Sequence, residues 1–295
     1  MAKIFPKNRI FSGLAAAAFG LLFISLGGWW FTLSLGVIVH LALLEFFRMA
    51  KFTGIRPATK TTLVLCQLLL FSTQLGMRGV LPPEVTSAVL PLSGAAICGW
   101  LLLQPVTGSI SDIAASIFGL FYLGFLPSHW LRLRALNEVH LSSQLSSLPS
   151  NYIDFFNSGM LITFFACLMI VVSDIGSYFF GRSLGKHPLS PISPSKTIEG
   201  AIGGLICAMV VGALAGKLFG WNFGLIFGGI LGALVALFAL VGDLTESMMK
   251  RDAGIKDSGN VLPGHGGILD RIDSYLFTPA IIYYSLVLFL PFLNG

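Results

Sequence analysis

Residues 224–251 read GLIFGGILGALVALFALVGDLTESMMKR, an apolar run that ends abruptly in charged and polar side chains. No residue between Gly224 and Gly242 is charged, and a run of about 20 apolar residues is long enough to cross a bilayer as a helix. Asp243 follows directly, at a depth where a carboxylate normally has a partner or an ion. This stretch therefore predicts a transmembrane helix with polar chemistry at one end.

Similar apolar runs recur along the whole chain of 295 residues, of which 55% are hydrophobic and only 11% charged. Soluble proteins carry roughly 25% charged residues, so this composition leaves no room for a sizeable soluble domain or a nucleic-acid-binding surface. We predict an all-α, polytopic helical membrane protein with about nine transmembrane helices, because helices satisfy their own backbone polar groups in lipid. The predicted spans are residues 10–26, 29–47, 61–77, 85–104, 110–126, 158–180, 200–220, 222–246 and 274–293.

The chemistry of the sequence is concentrated in its second half, because most of the 13 acidic residues lie between Asp174 and Asp273. We predict that residues 1–157 form an N-terminal membrane half with about five spans and a surface loop. Residues 158–295 would form the C-terminal catalytic membrane half. Both halves are expected to pack as one structural unit.

The basic residues predict the orientation of the chain in the membrane. We let the nine predicted spans cross the membrane in turn, starting with the N-terminus in the cytosol. The 18 Lys and Arg residues then lie on the cytosolic side, with four exceptions, Arg78, Arg132, Arg134 and Lys217. The positive-inside rule then places the N-terminus and the polar loops in the cytosol, and the C-terminus on the opposite side. We predict the loop 127–157 to lie on the membrane surface. The absence of an Arg- and Ser-rich leader favours a bacterial-type plasma membrane.

The end of the 224–251 run places several polar groups on one helix face. Asp243, Glu246, Ser247 and Lys250 are spaced i, i+3, i+4 and i+7, which puts them on the same side of a helix. That face offers carboxylates for a cation, a hydroxyl group, and an ammonium group for a phosphate. The alternative is a helix end at the membrane interface whose charges are simply solvated.

A glycine-rich loop follows, and residues 252–267 read DAGIKDSGNVLPGHGG. Its glycines and its proline predict a shaped turn in which backbone N–H groups approach an anion, with Lys256 and His265 as side-chain donors. Asp270 and Asp273 come next, at i and i+3, and enclose Arg271. Hard oxygen ligands beside basic residues suit magnesium and a polyphosphate better than a transition metal. For His265 a purely hydrogen-bonding role is the alternative.

A third polar cluster begins at Asp174, near the end of the sixth predicted span, and reaches Gly200. It contains Arg182 and Lys186, followed by the segment SPSKT at residues 193–197. Basic side chains beside small hydroxyl residues suit phosphate recognition. For Arg182 and Lys186 the alternative is ordinary positive charge flanking a span.

The last polar segment resembles the signature of the phosphatidate cytidylyltransferase (CDP-diglyceride synthase) family. The matching positions are Ser247-x-Met249-Lys250-Arg251-x4-Lys256-Asp257-x-Gly259-x2-Leu262-Pro263-x-His265-Gly266-Gly267-Ile268-x-Asp270-Arg271-Ile272-Asp273. Residues 174–200 resemble a second block of the family, an Asp followed by GR, GK and SPxKTxEG. Ser195 departs from this block, because a lysine is common at that position.

The resemblance implies that the chain transfers CMP from CTP to phosphatidic acid and releases CDP-diacylglycerol and pyrophosphate, a step of phospholipid biosynthesis. It implies catalytic roles for Asp243, Lys250, Arg251 and Asp270. It implies substrate binding by Ser193, Lys196, Ser247, Lys256, His265 and Arg271. Magnesium, with a second cation in the same site, would be bound by Asp243, Asp270, Asp273 and Asp174. It also implies a homodimer.

Two other classes of protein fit parts of the pattern. A CTP-dependent lipid-alcohol kinase would share the membrane and the magnesium but would transfer a γ-phosphate, and the complete signature argues against it. A transporter would place its carboxylates near the middle of the membrane, often in broken helices of paired repeats. Here the carboxylates cluster at one side with Lys and Arg, and no internal repeat is evident.

Overall fold

A computed structural model of the chain describes residues 7–136, 158–221, 223–259 and 266–289. These residues are almost entirely helical, with one small hairpin. In chain order the elements are α1 Lys7–Leu26, α2 Gly28–Phe52, α3 Thr59–Met77, α4 Pro83–Leu102, α5 Ile110–Gly119, a π-helical turn Leu120–Phe125, α6 Leu126–Arg134, α7 Ser158–Leu184, β1 Pro188–Ser190, β2 Ser193–Thr197, α8 Ile198–Leu218, α9 Gly224–Asp252, α10 Leu269–Ile272, a 3-10 turn Asp273–Tyr275, α11 Thr278–Tyr284 and a π-helical turn Ser285–Phe289.

The structure confirms a polytopic helical membrane protein, and its helix count among the described residues differs slightly from the predicted nine. Seven helices among the described residues are long and apolar enough to cross a membrane. The predicted span 61–77 does form a helix, α3, but its threonines, glutamines and Lys60 make it less apolar than the others. The predicted span 10–26 contributes only a shorter apolar helix, Ala17–Leu26, to the residues whose side chains are described.

The chain packs into two compact units. The first comprises Met1–Phe125 and Asp252–Arg271, and the second comprises Leu126–Arg251 and Ile272–Gly295. The predicted halves, 1–157 and 158–295, were distinguished by their chemistry rather than by packing, so that division remains a prediction.

Within the first unit, the buried carboxylate of Asp112 fixes the start of α5. Asp112 and Ser109 form a reciprocal capping box at the N-terminus of the helix. The backbone N–H of Arg56 also donates to Asp112 Oδ1 at 2.6 Å, which ties the loop after α2 to α5. Such caps satisfy the backbone donors that a helix start leaves unpaired.

Within the second unit, glycines allow the helices to pack at very short range. A Cβ atom at Gly216 would lie 2.8 Å from the carbonyl carbon of Gly224, and one at Gly232 would lie 2.7 Å from that of Ala208. Contacts this close leave no space for a side chain, as is common where helices pack in lipid. They fix α8 against α9, the helix that ends in Asp243.

The predicted end of the fifth span at Pro127 is wrong. The membrane-spanning helix continues from residue 110 to Arg134 and contains Pro127. The proline follows directly after the π-helical turn Leu120–Phe125, where the regular hydrogen-bond pattern of the helix is already interrupted. Arg132 and Arg134 therefore lie in the last turn of a helix and not in a surface loop. Residues 137–157 of that predicted loop lie outside the described residues.

The SPSKT segment forms part of a β-hairpin, a secondary structure that the sequence analysis did not predict. Strands β1 and β2 are antiparallel, with Pro188 opposite Thr197 and Ser190 opposite Ser193. Thr197 then caps α8, because its side chain accepts a hydrogen bond from the N–H of Gly200. The hairpin is thus held directly at the start of a membrane-spanning helix.

Candidate active site

The first cluster of the candidate site is built around Asp243 in α9, within the second unit. Its Oδ2 forms an ion pair with Nζ of Lys196, which lies on strand β2. The two side chains are 36% and 22% exposed, respectively. The two side chains are therefore neither fully solvated nor sealed in the core, although Nζ of Lys196 itself is buried.

Asp273 is brought to the same place by a break in the last helical segment. The predicted last span, 274–293, overlaps one apolar segment, Leu269–Phe289. Within this segment α10 ends at Ile272, and a 3-10 turn, Asp273–Tyr275, follows before α11. This turn packs against Gly242, where a Cβ atom would lie 3.1 Å from the carbonyl carbon of Asp273 and closer still to its oxygen. Glycine directly before Asp243 thus permits the close approach of the second aspartate.

Asp174 in α7 completes this cluster. Asp174 and Asp273 each interact electrostatically with Asp243 and with Lys196. The cluster therefore contains three carboxylates and one ammonium group, and its excess negative charge favours a bound cation. We call Asp174, Asp243, Asp273 and Lys196 the aspartate cluster.

The donor set of the aspartate cluster fits magnesium. Over the described ranges, no three His, Cys, Asp or Glu side chains converge closely enough to enclose a metal ion by themselves. Magnesium does not require such a cage, because it usually binds one or two carboxylates and completes its shell with water and substrate phosphate oxygens. The cluster supplies hard oxygen ligands of this kind.

One turn further along α9, the predicted polar face points into the protein. Glu246 is fully buried and forms an ion pair with Lys250, whose side chain is 14% exposed. Ser247 is also buried. Lys250 therefore has a carboxylate partner in the same helix, whereas the sequence analysis considered it only as a phosphate ligand. Arg251 is exposed, and its Nε donates to the carbonyl oxygen of Ile192 in the hairpin at 3.4 Å.

In the first unit, the glycine-rich segment wraps around the carboxylate of Asp270. Its Oδ2 accepts hydrogen bonds from the N–H of Ser258 at 3.0 Å, from Oγ of Ser258 at 2.9 Å and from the N–H of Gly267 at 2.8 Å. Gly266 has a φ of 81°, which favours glycine, and a Cβ atom there would lie 2.7 Å from Asp270 Oδ2. Lys256 and Arg271 of this unit are exposed, and His265 lies outside the described residues.

The sequence model of the Cytidylyltransferase family matches residues 7–289, almost the whole chain. The chain belongs to this family.

Named relatives are similar over most of their length to this member of the cytidylyltransferase family. The phosphatidate cytidylyltransferase of Synechocystis sp. is 45% identical over 98% of this chain and 99% of its own. The phosphatidate cytidylyltransferase of Bacillus subtilis is 31% identical over 96% of this chain and 98% of its own. Phosphatidate cytidylyltransferase 5, chloroplastic, of Arabidopsis thaliana is 34% identical over 87% of this chain and 66% of its own.

The structure brings together some of the predicted site residues of this cytidylyltransferase. Asp174, Asp243, Asp273 and Lys196 form one cluster, and Ser193 lies on the same strand as Lys196. Asp270, Lys256 and Arg271 belong to the other compact unit, so the joint action of Asp243 and Asp270 on one metal remains a prediction. The catalytic and substrate-binding roles given above remain predictions as well.

The sequence analysis missed two residues that the structure places beside predicted site residues. They are Ser258 and Glu45, which are hydrogen-bonded to each other next to Asp270. Glu246 was predicted to share a helix face with Lys250, but its ion pair with that lysine was not predicted. Glu45 could have been found, because it is a carboxylate inside the predicted span 29–47, and ionisable groups at membrane depth are usually functional. Ser258 has no signal in the sequence beyond its place in a glycine-rich loop.

Proposed function

We propose that this enzyme transfers CMP from CTP to phosphatidic acid, forming CDP-diacylglycerol and pyrophosphate. The observation that carries the proposal is the 45% identity, over nearly the full length of both chains, to a protein named phosphatidate cytidylyltransferase. The aspartate cluster supports it, because a polyphosphate substrate with a hard cation suits three carboxylates beside a lysine.

The reaction joins two anions, and this determines what the protein must supply. A phosphate oxygen of phosphatidic acid attacks the α-phosphorus of CTP, the bond from that phosphorus to the bridging oxygen of the β-phosphate breaks, and pyrophosphate leaves. The nucleophile is already an anion, so no strong general base is required. Positive groups aimed at the phosphates stabilise the charge that develops, and Lys196, Lys250, Arg251, Lys256 and Arg271 are the proposed sources.

Magnesium is part of the proposal. Asp243, with Asp174 and Asp273 beside it and Asp270 as a further predicted ligand, would hold it, and a second cation would share the site. When bound, the ion would neutralise charge on the phosphates of CTP and on the departing pyrophosphate. Lys196 would then orient a phosphate group from the hairpin side of the same cluster.

The orientation in the membrane and the homodimer also belong to the proposal. The distribution of basic residues supports a cytosolic N-terminus and cytosolic loops around Lys196 and Lys256, on the side of the membrane where CTP is found. The lipid substrate would remain in the bilayer, with its phosphate at the helix ends that carry the aspartate cluster. Cross-linking of the detergent-solubilised enzyme at increasing dilution tests the dimer.

Transfer of label from CTP tests the reaction directly. The purified enzyme in detergent is incubated with magnesium, phosphatidic acid and CTP labelled at either the α- or the γ-phosphate. We expect α-label in the lipid and γ-label in pyrophosphate. Transfer of γ-label to a lipid alcohol would establish the kinase alternative. Absence of any labelled lipid, with transport of a solute in vesicles, would favour the transporter.

A further inference from the structure

Glu45 is a buried carboxylate in the membrane-spanning helix Gly28–Phe52, far along the chain from the signature segment. Glu45 is only 6% exposed to solvent. An ionised carboxylate removed from water costs several kcal/mol unless hydrogen bonds compensate it. The partners of Glu45 therefore indicate what the residue is for.

In the part of the chain that the structure describes, the hydrogen-bond donors to Glu45 are Ser258, Ile268 and Leu269, which belong to the signature segment of the same compact unit. Its Oε1 accepts from the N–H of Ile268 at 3.0 Å, and its Oε2 accepts from the N–H of Leu269 at 2.8 Å. These two residues directly precede Asp270. Glu45 thus holds the backbone directly before Asp270, and the position of that backbone determines the position of the Asp270 side chain.

A second connection runs through the hydroxyl group of Ser258. Ser258 Oγ lies 3.1 Å from Glu45 Oε2 and 2.9 Å from Asp270 Oδ2. A hydroxyl group carries one proton, so it donates to one of these carboxylates at a time. Because the same oxygen contacts both carboxylates, a shift of Glu45 is transmitted to Asp270 through a side chain as well as through the backbone.

Two glycines of the signature segment are required for this approach. A Cβ atom at Gly259 would lie 2.8 Å from Cδ of Glu45, and one at Gly267 would lie 2.7 Å from the same carbon. Either methyl group would push the segment away from the carboxylate. The absence of side chains at both positions therefore lets the loop close around Glu45.

We propose that Glu45 is a positioning residue for the cytidylyltransferase reaction, which holds Asp270 in its working position through Ile268, Leu269 and Ser258. The proposal rests on the proposed function and on the predicted role of Asp270. Glu45 itself touches no reacting atom. Its loss should therefore lower kcat while leaving the KM values for CTP and phosphatidic acid nearly unchanged, since the substrates still bind but meet a displaced carboxylate.

The test compares Glu45→Gln with a matched control, Asp112→Asn. Both residues are buried carboxylates that accept backbone hydrogen bonds in the first unit. Asp112, however, binds the loop after α2, which contains no predicted site residue. In the full-length enzyme we expect Glu45→Gln to lower kcat about 100-fold with KM within about threefold. Asp112→Asn should lower the Tm to a similar degree and leave kcat within about twofold of wild type. Glu45→Asp, which keeps the charge, should recover part of the lost kcat.

Ser258→Ala supplies a milder variant that removes only the shared hydroxyl group. It should lower kcat about 10-fold. The double variant with Glu45→Gln should have a kcat within about twofold of Glu45→Gln alone, because Glu45→Gln already disturbs the Ser258 connection as well as the backbone connection. If Glu45→Gln does not fold, Ser258→Ala decides, and an unchanged kcat overturns the proposal. Equal kcat losses in Glu45→Gln and Asp112→Asn at equal Tm would also overturn it.

Hydrogen exchange separates this proposal from the proposed function. The amides of Ile268 and Leu269 should exchange faster in Glu45→Gln than in wild type or Asp112→Asn, whatever reaction the enzyme catalyses. Unchanged exchange at these amides refutes the role of Glu45. Failure of the wild-type enzyme to move α-label into lipid refutes the proposed function instead.

Discussion

Substitution of Gly242 by alanine should separate the aspartate cluster without removing any charged group. The added methyl group would overlap the carbonyl oxygen of Asp273 and lie 3.1 Å from its carbon. The turn that carries Asp273 must then move by about 1 Å to restore an ordinary carbon–oxygen contact. Overpacking of this kind costs about 1–3 kcal/mol, which the higher helix propensity of alanine offsets by about 0.5–1 kcal/mol.

The larger effect of Gly242→Ala is expected on the reaction. Gly242 directly precedes Asp243, so the methyl group increases the distance between Asp243 and Asp273. A displacement of about 1 Å in a reacting group can cost about 100-fold in rate, and we expect a loss of that size in kcat/KM for CTP. A raised magnesium requirement should accompany it, because the separated carboxylates bind a cation less well.

Gly229→Ala in the same helix is the matched control for this experiment. A Cβ atom at Gly229 would lie 3.9 Å from its nearest neighbours, Ala213 and Met209, which is an ordinary contact. This variant should keep full activity and an unchanged or slightly higher Tm. The assay is transfer of α-label from CTP to lipid over a magnesium titration. If Gly242→Ala retains wild-type kcat/KM, or if both variants lose activity equally, the packing argument is wrong.

Three further predictions concern the hairpin and the orientation of the chain. Lys196→Met should lower kcat/KM for CTP about 100-fold, whereas Lys217→Met, at an exposed lysine in the last turn of α8, should leave it unchanged. Glu199→Gln should speed hydrogen exchange at the start of the hairpin, because Glu199 accepts from the N–H groups of Lys186 and His187. In a cysteine-free background, an impermeant thiol reagent added to right-side-out vesicles should label Asn294→Cys and spare Ser190→Cys. The reverse labelling would overturn the proposed orientation.

The sequence predicts the fold class and the main polar residues because both depend on local patterns. Apolar runs of membrane length indicate helices wherever they occur. A carboxylate directly after such a run, as at Asp243, indicates a functional residue, because a charged side chain at membrane depth is unfavourable in free energy. The number of membrane-spanning helices is harder to predict than the fold class. Helix α3 shows why, since threonine and glutamine are tolerated in a helix that packs among others but lower its apolar character.

The parts of the site that the sequence does not predict depend on contacts between residues far apart in the chain. Nothing in the local pattern around Lys196 shows that its ammonium group pairs with Asp243, because that contact exists only once the hairpin and α9 have packed. The break after Ile272 is equally hidden, since Asp270 and Asp273 at i and i+3 fit a continuous helix. The partnership of Glu45 with Ser258 likewise joins two segments whose sequences give no common signal.

Charge balance explains why both clusters combine carboxylates with glycines. In the second unit, three aspartates lie near one lysine, and the absence of a side chain at Gly242 lets the turn that carries Asp273 pack against α9. In the first unit, Glu45 and Asp270 lie on either side of one serine hydroxyl group, and Gly259 and Gly267 give the backbone room to reach them. Under the proposed function, fixed cations in these sites would compete with the magnesium that is expected to accompany a nucleoside triphosphate. Backbone N–H groups and close glycine contacts hold the carboxylates in place without adding such cations.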